Sequence, residues 1–207
     1  MHKKESTFKN MIMTLFLVTA IASTSLGFIY KITKNPINEA RKLKKLNAIR
    51  DVLPDFDNEP SENPEKKLID NDTLYFYRGM KNGEWVGTAV ETFTDKGFGG
   101  RIRILVGFDP EGNIHDITVL EHQETPGLGD KIEKKKSYDK KTGLSWVSQF
   151  IGANPAEFKL IVKKDGGDVD AITAATITSR AFCDAVQRAY DGFLNEKKCL
   201  IQIKNNI

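Results

Sequence analysis

The run Asp170, Ala171, Ile172, Thr173, Ala174, Ala175, Thr176, Ile177, Thr178, Ser179 gathers four hydroxyl side chains and three alanines at one point of the chain. From Ile177 onward, apolar residues recur at Ala181, Phe182, Ala185, Val186, Ala189, Tyr190, Phe193 and Leu194. That is the spacing of one buried helical face. It sets Thr176 at a helix N-terminus or one residue outside it, where unpaired N–H groups and the positive end of the helix dipole collect. Such an end accepts a phosphate. Ala174 and Ala175 are small enough for a bulky phosphorylated group to approach the backbone. A Thr ahead of a helix serves equally well as an N-cap, and spacing alone leaves both roles open.

A second candidate block lies upstream: Glu124, Thr125, Pro126, Gly127, Leu128 and Gly129 follow a strand-like segment, with Gly97, Phe98, Gly99 and Gly100 before it. A planar, largely apolar ligand needs an apolar wall and a few polar groups. Pro126 and Leu128 supply the wall, and Gly127 and Gly129 let the backbone come close. The same residues also suit a plain structural turn. Lys163 and Lys164 are nearby cations for a phosphate. His2, His115 and His122 form no ligand cluster, and Cys183 and Cys199 stand in no recognised spacing. No metal is expected.

Asp170-x-x-Thr173-Ala174-Ala175-Thr176 resembles the flavinylation motif Asp-x-x-(Ser/Thr)-Gly-Ala-Thr. In proteins bearing that motif a dedicated transferase takes FMN from FAD and esterifies its phosphate to the last Thr. Ala174 stands where the motif usually has Gly, a strain if the site needs positive φ there. With the blocks at 97–100 and 124–129, the chain resembles the G subunit of the Rnf electron transport complex. The related C subunit of the Na⁺-translocating NADH:quinone reductase shares much of the pattern. The resemblance covers the membrane anchor and most of residues 72–193. It implies one covalent FMN per chain on Thr176 and recognition of Asp170 by the transferase, although Asp170 equally suits a turn cap. The N–H groups of Ile177, Thr178 and Ser179 and the Thr178 hydroxyl are expected around the phosphate. Thr173 and Ala175 line the attachment point, and Glu124, Thr125, Pro126, Leu128 and Gly129 hold the ring.

The elements that must position these residues begin at an anchor. Residues 11–30 carry no charge, the length that crosses a hydrocarbon core. Ala20, Ile21 and Ala22 offer a cleavage-like site, but the apolar run continues to Tyr30, which favours a retained anchor over a removed signal. Ser and Thr residues from Thr19 to Ser25 suit hydrogen bonds to partner helices. Lys3, Lys4 and Lys9 precede the span and Lys31, Lys34, Arg41, Lys42, Lys44 and Lys45 follow it, so the charge rule places the long domain inside. The family resemblance places it outside the cytoplasm, and a large translocated domain obeys the charge rule poorly. Without the first thirty residues, 28 basic and 27 acidic residues remain, against 31 and 28 in the whole chain. Such near-neutrality gives little steering of charged partners, and nucleic acid is not expected.

Asn35 and Pro36 interrupt the first helical pattern, and Ile37, Ala40, Leu43, Leu46, Ile49 and Leu53 suggest a second helix ended by Pro54. Strand signals follow at 73–78, 84–93, 102–108 and 114–120, with turns at 79–83 and 109–113. Trp146 to Phe150 packs on the sheet, a further strand is expected at 158–163, and the lysines at 134–136, 140 and 141 form a solvated face. Strands first and a long helix late define an α+β fold, an antiparallel-rich sheet with packed helices preceded by one transmembrane helix. The expected organisation is a short cytoplasmic tail (1–10), a transmembrane helix (11–30), a stalk helix and linker (31–70), a covalent FMN-binding domain (71–200) and a C-terminal tail (201–207). The expected function is a single-pass redox carrier in the cytoplasmic (inner) membrane, with its flavin domain on the extracytoplasmic side. Its partners would be the lipid bilayer, the other membrane and redox subunits of an Rnf-type complex, and the flavin transferase. The complex would couple electron transfer between ferredoxin and NAD⁺ to ion movement. The alternatives are the C-type quinone reductase subunit and a membrane-anchored FMN-binding sensor or assembly module.

Overall fold

The computed structural model describes residues 7–62, 64–69 and 72–205; His2, Lys3 and Lys4 lie outside the described residues. The chain falls into two units, Met1–Lys44 and Lys45–Ile207. The first unit is the body of one helix, α1 (Phe8–Val52), which continues into the second unit. The expected break at Pro36 does not occur: Pro36 lies inside α1. A proline removes one N–H and crowds the preceding turn, but the helix former pattern on both sides outlasts that single loss. By length and composition α1 is long and apolar enough to cross a membrane. The hydroxyls of Thr19 and Thr24 donate to the carbonyls of Leu15 and Ala20 at 2.9 and 2.7 Å. Their donors are thus satisfied within the helix.

The second unit is built on a five-stranded antiparallel meander in sequence order, β1 (Glu65–Ile69), β2 (Asp72–Lys81), β3 (Glu84–Thr94), β4 (Ile102–Phe108) and β5 (Ile114–Glu121). The fold is the expected α+β class. Asn82 and Gly83, both at positive φ (53° and 81°), make the two-residue β2–β3 hairpin turn. Gly79 and Met80, expected in the turn, lie in β2 at a bulge. β1 falls in what was expected to be loop and linker; its Glu-Lys-Lys start hides the alternation, because Lys67 pairs with buried Glu196 instead of reaching water.

Period-2 alternation sends Ile104, Val106 and Phe108 to one face and Leu105 to the other. The first face packs on α3 (Thr176–Asn205), whose Phe182, Ala185, Val186, Ala189 and Phe193 are fully buried. Truncating Phe182 to Ala would remove about 3–5 kcal/mol. The second face packs on Ala48, Ile49 and Val52 at the end of α1 and on Leu53 just after it. Gly107 permits that approach, since a Cβ there would lie 1.8 Å from the Val52 carbonyl oxygen. So the last turns of the expected stalk are core of the domain. α3 also runs to Asn205, through the expected tail.

The strand expected at 158–163 is replaced by turns, with a single parallel bridge from Val162 to Val169. Leu160 and Val162 are buried, which explains the alternation, but Ile161 N–H donates to Lys159 and Asp165 N–H to Val162. Local carbonyls take the bonds that a neighbouring strand would otherwise take. Cys183 is buried, which pushes its thiol up to about 12. Cys199 lies sixteen residues further along the same helix, roughly 24 Å away by helical rise, so the two cannot bridge within a chain.

On the α1 face, Glu91 is 3% exposed, accepts a bond from Tyr77 at 2.8 Å and pairs with Lys45 at 2.9 Å and with Arg103. Burial alone would raise its carboxyl. The bonds from Lys45 and Tyr77 and the charges of Lys45 and Arg103 outweigh burial and hold it below the ordinary 4.5. A lowered carboxyl stabilises the fold above its unfolded-state value and loses that contribution as pH falls through the lowered one. Melting temperature should therefore fall below pH 4.5, and Glu91→Gln should flatten that acid limb while lowering stability at neutral pH. An acid limb of equal slope in the variant contradicts the assignment.

Candidate functional site

Three segments distant in sequence meet at the N-terminus of α3: the glycine block at 97–100, the loop at 124–129 and the run at 170–178. Glu124 holds them together. It is 5% exposed, and its Oε1 accepts the Gly99 N–H at 2.9 Å while its Oε2 accepts the Thr178 hydroxyl at 2.5 Å. Its own N–H donates to His122 Nδ1 at 3.1 Å, and His122 Nε2 lies 3.1 Å from Glu133. That arrangement makes Nδ1 the acceptor and Nε2–H the donor to the carboxylate. Glu124 is thus a bracket beneath the site, a role its sequence context did not announce.

The loop closes on itself, with Leu128 and Asp130 N–H both donating to the Thr125 carbonyl. Gly129 sits directly on the bracket: a Cβ there would stand 2.7 Å from Glu124 Oε2 and 2.8 Å from Thr178 Oγ1. Across the cleft, Ala175 N–H donates to Ile172 O at 3.0 Å, closing a turn in which Ala174 has φ 61°. This is the left-handed conformation for which glycine is suited. Ala174→Gly should relieve about 1–2 kcal/mol of strain, less about 0.4–1 kcal/mol for the looser unfolded chain. A small rise in melting temperature is expected; a fall contradicts the strain.

Ser179 N–H donates to Ala175 O at 3.0 Å, which makes Ala175 the N-cap and leaves the N–H groups of Thr176, Ile177 and Thr178 at the open end of the helix. The set differs from the expected one by a residue, because Ser179 N–H is already inside the helical ladder. Ser179 Oγ accepts the Ile172 N–H at 2.9 Å and donates to Ala175 O at 3.0 Å. The Thr178 hydroxyl, expected at a phosphate, is 1% exposed and goes to Glu124. Thr176 is half-buried at the cleft and Thr173 is exposed on the turn.

The cleft between these walls has a volume of about 350 Å³, within the range of small-molecule sites. Thr125, Leu128, Gly129, Ala174, Ala175, Thr176 and Ile177 line it, and Glu124 and Thr178 form its floor. Phe98 completes the wall, a residue the sequence reading left unassigned although it lies between the glycines quoted there. Phe98, Leu128 and Ile177 are 68%, 40% and 51% exposed, an apolar rim open to a ligand. Ile177 belongs to this rim and not to the buried helical face where its spacing put it. Pro126 and Gly127 are exposed and do not line the cleft. Neither does Lys163, whose ammonium pairs with Asp170 at 2.8 Å, nor Lys164. Asp170 itself is 68% exposed outside the cleft.

An apolar rim and an open helix N-terminus suit a phosphorylated aromatic cofactor, so these residues fit FMN. The FMN-binding domain family matches residues 97–191, which span the glycine block, the loop, the turn and most of α3. The second unit is an FMN-binding domain. Over 208 residues the chain is 33% identical to the G subunit of the ion-translocating oxidoreductase complex of Shewanella piezotolerans, covering 96% of this chain and 94% of that protein. It is 34% identical over 188 residues to the Haemophilus influenzae protein of the same name, 86% of each chain. The Pasteurella multocida counterpart is 36% identical over 191 residues, 88% of this chain and 91% of that one. The chain belongs to the family of ion-translocating oxidoreductase complex G subunits.

Proposed function

We propose that this chain is the membrane-anchored FMN carrier of an ion-translocating oxidoreductase complex, with FMN held as a phosphoester on Thr176. The observation that carries the reading is that half-buried Thr176 lines the apolar-rimmed cleft as the first residue of α3, next to the free N–H groups of that turn. A phosphate esterified there lies against N–H groups and the positive end of a 30-residue helix. That compensates for a cleft whose only charged lining residue, among the described residues, is Glu124.

An unmodified threonine hydroxyl is a weak nucleophile at neutral pH, so attachment calls for an external transferase. Thr176 Oγ1 attacks the phosphorus on the FMN side of the FAD pyrophosphate. The bond from that phosphorus to the bridging oxygen breaks, AMP departs with the oxygen, and the threonine proton passes to a base of the transferase. The bound flavin supplies reversible electron acceptance. In this chain Thr176 would hold it by one covalent bond, Phe98, Leu128 and Ile177 would supply apolar surface for its ring, and α1 would keep it at the membrane.

The complex partners follow from the family: other membrane and redox subunits that deliver electrons to the flavin and take them away. In this reading the flavin domain lies outside the cytoplasm and residues 11–30 stay as the anchor, a reading supported by the uncharged run that continues to Tyr30. Membranes in which this chain carries Thr176→Val should lose ferredoxin:NAD⁺ oxidoreductase turnover. Unchanged turnover with the variant still assembled would overturn the carrier role in favour of a sensor or assembly module.

A further inference from the structure

The stretch from Asp170 to Ala175 has no regular secondary structure, yet its backbone is pinned at both ends by side chains. At the front, the amide of Gln149 pairs with both backbone groups of Asp170. Asp170 N–H donates to Gln149 Oε1 at 2.7 Å, and Gln149 Nε2 donates to Asp170 O at 3.3 Å. Trp146 Nε1 donates to the same carbonyl at 2.6 Å. The amide thus takes the place of a neighbouring strand. At the rear, Ser179 Oγ bonds Ile172 N–H and Ala175 O.

The front clamp stands on firm ground. Trp146 and Gln149 belong to a 3-10 turn, Trp146–Phe150, closed by a reciprocal capping box between Ser145 and Ser148. Val147 and Phe150 of that turn are buried, and the Trp146 ring meets the rings of Phe150 and Phe182 at 5.4 and 5.1 Å. Both clamps take hold of backbone only. The Asp170 carboxylate stays 68% exposed with Lys163 beside it, Thr173 stays exposed, and Thr176 lines the cleft. With its backbone held and the Asp170 and Thr173 side chains exposed, this segment is accessible to another enzyme.

We propose that Gln149 and Ser179 are positioning residues for flavin attachment, holding residues 170–176 in the conformation that a flavin transferase modifies. The inference rests on Thr176 being the acceptor. Without the clamps the transferase would have to order this segment itself while aligning Thr176 Oγ1 with the FAD phosphorus, and misplacement of about 1 Å can lower a rate about a hundredfold. Neither residue lines the cleft.

The test is the initial rate of covalent FMN incorporation into full-length protein, with FAD and a flavin transferase supplied, read by intact mass. Gln149→Glu keeps the shape of the side chain but replaces the donor to the Asp170 carbonyl by an acceptor. The expected result is an incorporation rate down about tenfold or more, faster amide exchange at Asp170, and an apo melting temperature close to the parent's. Ser179→Ala should lower the rate likewise, with faster exchange at Ile172. If Gln149→Glu does not fold, Gln149→Met removes the same bonds without adding charge and is read the same way. Flavinylation at the parental rate in folded variants overturns the inference. Absence of covalent FMN from the parent itself overturns the Thr176 assignment instead.

Discussion

Thr176→Val should give a folded protein that carries no covalent flavin. Valine keeps the β-branched shape of threonine and fits the first turn of α3, so the change in stability should stay within about 0.5 kcal/mol. It removes the oxygen that would bear the ester. Thr178 offers no substitute, since it is 1% exposed and its hydroxyl is committed to Glu124 beneath the cleft. Thr173 is exposed on the turn ahead of the helix and does not line the cleft. Flavin fluorescence on a denaturing gel should vanish while the circular dichroism melt remains near the parent's. Persistent fluorescence in the variant would move the attachment to another residue.

Gly129→Val should be the most destabilising single change at the site. The added Cβ would start 2.7 Å from Glu124 Oε2 and 2.8 Å from Thr178 Oγ1, and the branches of valine extend further. Overpacking of this kind costs about 1–3 kcal/mol. Displacing Thr178 leaves a buried carboxylate short of a donor, for about 1–3 kcal/mol more. A loss of about 3 kcal/mol or more is expected in denaturant unfolding, together with a shifted flavin absorption band in whatever folds. Gly127→Ala makes a useful contrast: nothing lies within 4 Å of its added Cβ, and only its φ of +79° resists a side chain. That change should cost about 1–2 kcal/mol and leave the flavin spectrum unmoved. Equal effects at the two glycines would contradict the bracket.

The contrast between these glycines shows what was legible in the sequence. Strands β2 to β5 and the helix α3 carry strong periods, and both the sheet and the long helix follow from them. β1 was hidden because Lys67 satisfies its charge on buried Glu196, a pairing 129 residues apart along the chain. The 158–163 segment alternates like a strand because one face is buried, although among the described residues it pairs only through the isolated bridge from Val162 to Val169. Pro36 was read as a stop when the residues on both sides are strong enough to carry a helix across it.

At the site, the loop and the run at 170–179 could be named as blocks, and so could the strain waiting at Ala174. Their inner division of labour could not. Whether a glycine admits a ligand or a neighbouring carboxylate, and whether a threonine hydroxyl faces a cleft or a core, depends on which distant segment lies opposite. Glu124 shows this most clearly, being expected against the ring and found bonding Gly99 and Thr178. Gln149 and Ser179 act through backbone groups of the motif, and no local pattern marks such contacts.

The most direct measurement of the central claim is peptide mapping by mass spectrometry of the full-length protein after coexpression with a flavin transferase. One FMN, stable to denaturation and located on Thr176, is the predicted result. FMN lost on denaturation, or found on Thr173 or Thr178, would contradict it.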